Sequence, residues 1–371
     1  MKKTGILVLM MAVLTATLSG CGSSGSAAAS KADTESQKSS AGEEGASGEA
    51  AIEATDLTWG TGTLGGTNQL MGTACASVLQ EKIPNMSVTV QATGGSIENC
   101  RLLASGDINI GHTTQMYDAY VGQGPFAEDG PNDKILALMD LYDVESVAIV
   151  LDKSSIQSLE GLEGKTVVLG PSGSGIASMA TALMSAYGYN DSNCKMLNLA
   201  NDQAVDALKD GTVDMIWGFC SAKVPASYLE SLYTTVDCRA LPQDPEKIKL
   251  ACSESKDFFQ SVIAGGTLPF VAEDYINMAA PAEQFASAAM SEDVAYTFVK
   301  TICENVDALA NYYAPATCIT AENALHGMPT QVPIHPGAAK YFKEAGVWDD
   351  AYTVGQQDEY KHLNINFIDR P

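Results

Sequence analysis

From Asp56 onward the chain alternates between two hydrophobic periods: short apolar runs, and longer stretches in which apolar residues return every three or four positions. The short runs predict strands at Leu57–Gly60, Val88–Gln91 and Ile108–Ile110. Between them, Asn68–Glu81 gathers Leu70, Met71, Ala74, Val78 and Leu79 on one helical face. Ser96–Ser105 does the same with Ile97, Cys100, Leu102, Leu103 and Ala104. A βαβαβ succession of this kind predicts a parallel sheet with helices on its faces.

The pattern restarts near Leu159. Strands are expected at Lys165–Leu169, Lys195–Leu199 and Val213–Trp217, with helices at Gly175–Tyr187 and Gln203–Lys209. Between the two blocks, Lys134–Leu151 is rich in Leu, Val, Ile and Met, as expected of strands passing from one domain to the next. After Pro269 come a strand at Tyr275–Ala279, one long helix from an N-capping Ser291 to about Tyr312, and a last helix at Pro336–Lys343 that opens on a proline.

The first residues do not share this pattern. Lys2 and Lys3 precede an apolar run from Ile6 to Leu18 that is too short to span a bilayer, so residues 1–20 read as an export signal. Leu18-Ser-Gly-Cys21 resembles a bacterial lipobox, which marks Cys21 for lipidation and anchors the protein to the outer face of the membrane. Residues 21–55 are mostly Ser, Gly, Ala and Glu with no aromatic residue, and read as a flexible tether.

Charge narrows the possible partners. The chain has 21 basic and 45 acidic residues, a formal net charge of −24, most of it on the folded part. A surface this acidic repels phosphate backbones, so nucleic acid is excluded as a partner. Of nine Cys, eight remain after Cys21; none has the short spacing of a metal site, and the four His are scattered, so no metal is expected. The eight thiols either pair as disulfides in an oxidising compartment or stay buried and free, and both alternatives stand.

The chemistry concentrates in three Gly-rich turns that follow strands and open helices: Gly60-Thr-Gly-Thr-Leu-Gly-Gly-Thr67, Thr93-Gly-Gly-Ser96 and Gly170-Pro-Ser-Gly-Ser-Gly175. One such turn alone is an ordinary junction with Ser/Thr caps. Three, two in the first block and one in the second, point to a cleft between domains where exposed amides and hydroxyls hold an anion without side-chain charge. Candidate ligand-binding residues are Thr61, Thr63, Gly66, Thr67, Asn68, Thr93, Gly94, Gly95, Ser96, Ser172, Gly173, Ser174 and Gly175. Thr114 and Gln115, after His112, and Trp217, as an apolar wall, complete the set. Arg101 reads as a surface or inter-helix ion pair, and His335 as a capping or packing residue.

Other chemistries fail on spacing. Gly60-x-Gly-x-x-Gly65 imitates a dinucleotide fingerprint, but the second strand ends at Gln91-Ala-Thr93 without the acid that would hold a ribose. Gly164-Lys-Thr166 imitates a P-loop ending, yet Leu159 stands where the first Gly is required. Ser172 and Ser174 do not fit Gly-x-Ser-x-Gly, no nucleophile and base come together, and neither catalysis nor a cofactor is expected.

The stretch Thr58-Trp-Gly-Thr-Gly-Thr-Leu-Gly-Gly-Thr67 resembles the N-terminal signature of the TAXI-type solute-binding proteins of TRAP transporters. Further matches follow in order through Val88–Asn99, Arg101–Asp107, Tyr117–Gly122, Leu162–Val167, Gly170–Gly175 and Ile334–Ala338, so the resemblance covers most of Asp56–Gly346. It implies an α/β, type II periplasmic-binding-protein fold: two lobes of mixed sheets flanked by helices, with two interdomain crossovers. Lobe I would combine residues 56–147 and 278–371, and lobe II would be 148–277. It also implies capture of a small organic anion, an amino acid or carboxylate such as glutamate, for TRAP membrane permease subunits. At one place the chain departs from the family, with Asn68-Gln-Leu70 where members commonly have Tyr-Tyr-Pro, putting an amide where an aromatic wall would stand. An ABC-type binding protein for another solute shares the fold, and an extracellular enzyme on the same architecture would need a catalytic base in the cleft.

Overall fold

The computed structural model describes residues 52–357. The export signal, Cys21 and nearly all of the tether lie outside the described residues, as does the end of the expected first lobe from residue 358.

The first block folds as expected. β1 (Thr55–Gly60), β2 (Met86–Gln91) and β3 (Ile110–Thr113) form a parallel set in the order β2-β1-β3, joined by helices α1 (Thr67–Lys82) and α2 (Ser96–Ser105). The third strand begins where the expected one ends, because Asn109 turns its side chain back to accept the Thr58 N–H at 2.7 Å. A short helix α3 (Met116–Val121), unread in the sequence, follows it.

The apolar stretch between the blocks is one 17-residue strand, β4 (Ile135–Leu151), with 16 of its 17 positions buried. Burial on both faces is why its sequence runs apolar without alternation. The second block then repeats the plan of the first: β5 (Thr166–Gly170), α4 (Gly175–Ala186), β6 (Lys195–Asn198), α5 (Asn201–Lys209) and β7 (Met215–Ser221). β7 starts later and runs longer than expected. The chain continues through β8 (Val224–Pro225), α6 (Ser227–Tyr233), β9 (Cys238–Leu241), α7 (Pro245–Glu254) and β10 (Phe259–Ile263). The second long strand, β11 (Tyr275–Ser287), pairs with β10 at its start and with β3 and β4 at its end.

The two halves are laid out alike. In one the order is β2-β1-β3 beside antiparallel β11; in the other it is β6-β5-β7 beside antiparallel β4. β4 and β11 are neighbours, and both run from one half into the other, changing partners near Val144 and Ala279. The α/β fold with mixed pairing and two crossing strands is therefore present.

The expected helix 291–312 is two helices, α8 (Glu292–Glu304) and α9 (Val306–Tyr312), broken at Asn305, whose amide donates back to the Thr301 carbonyl at 2.8 Å. Ser291 caps α8 as expected, accepting from Val294 N–H at 3.3 Å. α10 (Pro336–Glu344) closes the described fold, and His335 caps it through Nδ1 while Nε2 meets the Met290 carbonyl at 3.0 Å. All eight cysteines of the folded part are free, six of them buried, which settles the sequence alternatives for the thiols. No helix among the described residues is long and apolar enough to cross a membrane.

Candidate functional site

A pocket of about 610 Å³ lies where the two halves face each other. From the first half come the β1–α1 turn (Gly62 to Asn68) and Leu70, the start of α2 (Gly94, Gly95, Ser96), His112 and Thr114, Tyr142 and Val144 of β4, and Tyr313. The second half supplies Pro171, Ser174, Gly175 and Ile176 at α4, Ala200 to Asp202 at α5, and Phe219, Ser221 and the β8–α6 segment.

Four helices of eight or more residues thus point their N-termini into one space. The first turns of α1, α2 and α5 have no side-chain cap, while α4 is capped by Ser174, whose Oγ accepts from Ala177 N–H at 3.2 Å. Uncapped first-turn amides carry the positive end of the helix dipole. Among the described lining residues there is no Lys or Arg; Asp202 and Glu230, both exposed, are the acids. His112 adds no charge. Burial lowers its pKa to about 3, partly offset by a hydrogen bond with the Glu283 backbone, and its Nδ1 meets Gln284 Nε2 at 3.2 Å.

The halves touch at the polar floor. Ser96 Oγ accepts the Thr114 N–H at 3.1 Å and lies 3.3 Å from Thr114 Oγ1. Gly175 fits against both hydroxyls, and a Cβ there would overlap the two oxygens. A Cβ on Gly95 would come within 3.8 Å of the Ser174 Cα.

Of the residues singled out from sequence, Thr63, Gly66, Thr67, Asn68, Gly94, Gly95, Ser96, Thr114, Ser174 and Gly175 line this pocket. Asn68 does stand at the pocket, and its Oδ1 accepts the Tyr142 hydroxyl at 2.9 Å, leaving the NH₂ end for another acceptor. Six others do not line it. The Thr61 hydroxyl is buried and donates to the Gln91 carbonyl at 3.0 Å, and the Thr93 hydroxyl donates to Asn99 Oδ1 at 2.8 Å. Gln115 is 1% exposed at the start of α3, and Ser172 and Gly173 stand out in solvent on the far side of their turn. Trp217 is 2% exposed within β7, where every position is buried, and packs in the core. The aromatic wall instead comes from Phe219, two residues on, with Tyr142, Tyr228 and Tyr313.

Sequence reasoning missed Asn99, which organises the floor from below. Fully buried, it donates from Nδ2 to the Thr61 carbonyl at 2.7 Å and the His112 carbonyl at 2.8 Å, tying the first turn to β3. Only its place on the inward face of α2, one helical turn after Ser96, would have pointed to it. Arg101 lies elsewhere, at a smaller open cavity of about 420 Å³, in a surface ion pair with Asp129 at 2.8 Å.

Residues 59–346 match the model of the NMT1-like family. Among solved structures, the chain is similar to a putative L-cystine ABC transporter protein from Listeria monocytogenes, at 14% identity over 74% of this chain and 98% of that one, with a TM-score of 0.44. It is also similar to the periplasmic aliphatic sulphonate binding protein of Escherichia coli, at 16% identity over 78% and 90%, TM-score 0.41. A third match is the alkanesulfonate-binding protein of Xanthomonas axonopodis pv. citri bound to MOPS, at 14% identity over 82% and 98%, TM-score 0.43.

Proposed function

The chain belongs to the NMT1-like family, and we propose that it is an extracytoplasmic solute-binding protein whose interlobe cleft captures a small organic anion for a membrane transporter. The observation that carries this reading is the pocket itself: four helix N-termini from both halves, three without side-chain caps, and no Lys or Arg among the described lining residues. Convergent amides and hydroxyls bind a carboxylate or sulfonate without a counterion, which reconciles an anionic ligand with a chain of net charge −24. The proposal takes residues 56–147 with 278–371 as one lobe and 148–277 as the other, closing on each other across the ligand. It describes a binder rather than an enzyme: the one imidazole among the described lining residues is held neutral by burial, with Nδ1 against Gln284 Nε2.

The finer parts of the proposal follow the resemblance in the sequence. The partner would be the permease subunits of a TRAP-type secondary transporter, and an acylated Cys21 would hold the protein at the outer face of the membrane. Thermal-shift measurements with small carboxylates, sulfonates, sugars and nucleosides test the ligand class. Stabilisation by anions supports it, and a response confined to sugars or nucleosides defeats it. Loss of membrane association in a Cys21→Ser variant tests the anchor. A TRAP permease encoded beside this chain, rather than an ABC permease with its ATPase, supports the transporter class.

A further inference from the structure

We propose that the anion taken by this pocket carries a single negative charge and an apolar body of about ring size, and is not a dicarboxylate. This rests on the solute-binding reading above and narrows its ligand. At the floor the polar groups of the two halves form a compact patch, because Gly175 packs directly on the Ser96 and Thr114 hydroxyls and Gly95 faces Ser174. A single acid group fits beside such a patch, against the first turns of α1 and α2.

The wall is of another kind. Tyr142 and Val144 are two apart on β4, and Phe219 and Ser221 are two apart on the adjacent antiparallel β7, with Val144 opposite Ser221 and Ser146 opposite Phe219. Residues two apart share a face of a strand, so these side chains form a continuous panel beside the cleft. Ile176 and Tyr313 add to its apolar lining. A volume of about 610 Å³ accommodates a body well beyond an acid group.

Charge decides against a second carboxylate. Among the described residues no lining Lys or Arg is available to pair with it, and helix dipoles act only within the first turn. The two acids that line the second-half side, Asp202 and Glu230, would repel any negative charge carried away from the polar patch. A dianion therefore pays desolvation and repulsion where an apolar body gains burial.

Calorimetric titration of the purified full chain with phenylacetate, phenylacetamide, glutarate and acetate tests the inference. Phenylacetate is expected to bind about tenfold or more tighter than each of the other three. Glutarate binding as tightly as phenylacetate overturns the inference and leaves the anion reading standing. Phenylacetamide binding as tightly as phenylacetate, or no binding of any of the three acids, overturns both. The double variant Asp202→Asn/Glu230→Gln is expected to tighten glutarate several-fold more than it tightens phenylacetate, and an equal change for both, or an unchanged glutarate affinity, overturns the proposed repulsion. Phe219→Ala should weaken phenylacetate about tenfold with acetate unchanged, and equal loss for both overturns the role of the panel.

Discussion

At α3 the first-turn amides are taken by the protein's own carboxylates, whereas at α1, α2 and α5 comparable amides border an open pocket. Glu283 Oε2 accepts from Met116 N–H at 3.1 Å, and the two oxygens of Asp257 accept from Tyr117 and Asp118 N–H at 2.6 and 3.0 Å. Asp257 comes from the segment between α7 and β10, so this internal contact also fastens a loop to α3. No Lys, Arg or charged His takes part in any of these bonds. The fold thus already holds side-chain carboxyls on the N-terminus of α3 through backbone N–H donors, with the Ser255 hydroxyl adding a bond to Asp257 at 3.2 Å, and the pocket is bordered by backbone donors of the same kind.

The largest effect is expected where the internal contact is broken. Asp257→Ala leaves two buried N–H groups without acceptors, at about 1–3 kcal/mol each, and urea denaturation should show a loss in that range or above. Asp257→Asn keeps one acceptor oxygen and should recover part of it. A neutral outcome for Asp257→Ala would remove the internal half of the comparison. In the pocket, Gly175→Val places atoms on the Ser96 and Thr114 hydroxyls. The halves cannot then meet, so anion affinity should fall about tenfold or more while far-UV circular dichroism stays unchanged, and small-angle scattering should report a more open particle.

Next in size is the response to pH. Burial, with nearby like charges, raises Asp257, Glu283 and Asp140 well above the usual carboxylate range, and burial raises Asp118. These groups bind protons more readily folded than unfolded, so their contribution is complete below the ordinary carboxylate range and is lost as pH rises through the raised values. His112 and His335 act in the opposite sense. Burial lowers them to about 3 and about 4, so their contribution is complete above the ordinary histidine value of 6.5 and is lost as pH falls toward the lowered ones. The melting temperature should therefore fall as pH rises through the raised carboxyl values, less steeply in Asp257→Asn. On the acid side, His112→Gln should flatten the loss. The smallest effect is expected from Arg101→Ala, whose exposed ion pair should contribute under about 1 kcal/mol and leave anion binding untouched.

Much of this was legible in the sequence because Gly-rich turns and helix starts announce themselves locally. The starts of α1, α2 and α4 fall within one residue of where the turns place them, and the patterning of both blocks carries the succession of strands and helices. Long-range partners are not announced. Nothing local distinguishes Thr61 and Thr93, whose hydroxyls serve the frame, from Thr63 and Thr67, which face the pocket. Trp217 was misplaced for a related reason: it shares a face of β7 with Phe219, two residues on, so no local pattern tells which of the two reaches the pocket. The α7 start, Asp244-Pro-Glu246, did carry a signal, an N-cap followed by a proline at the first helical position, with Asp244 Oδ1 accepting Glu246 N–H at 2.9 Å. Asn99 and Asp257 act across 13 to 140 positions of chain, which no window of sequence spans.

The crossing of β4 and β11 has a mechanical meaning. Among the described residues only these two long strands carry the sheet from one half to the other, side by side and antiparallel, with the register slipping between Pro281 and Glu283. A two-strand ribbon resists shear along its length, because sliding would break the ladder bonds between its strands. It yields to bending across its face, which leaves those bonds intact. The proposed closure is then a swing with essentially one degree of freedom, its return stroke as well guided as its forward one, so that release and capture follow the same track.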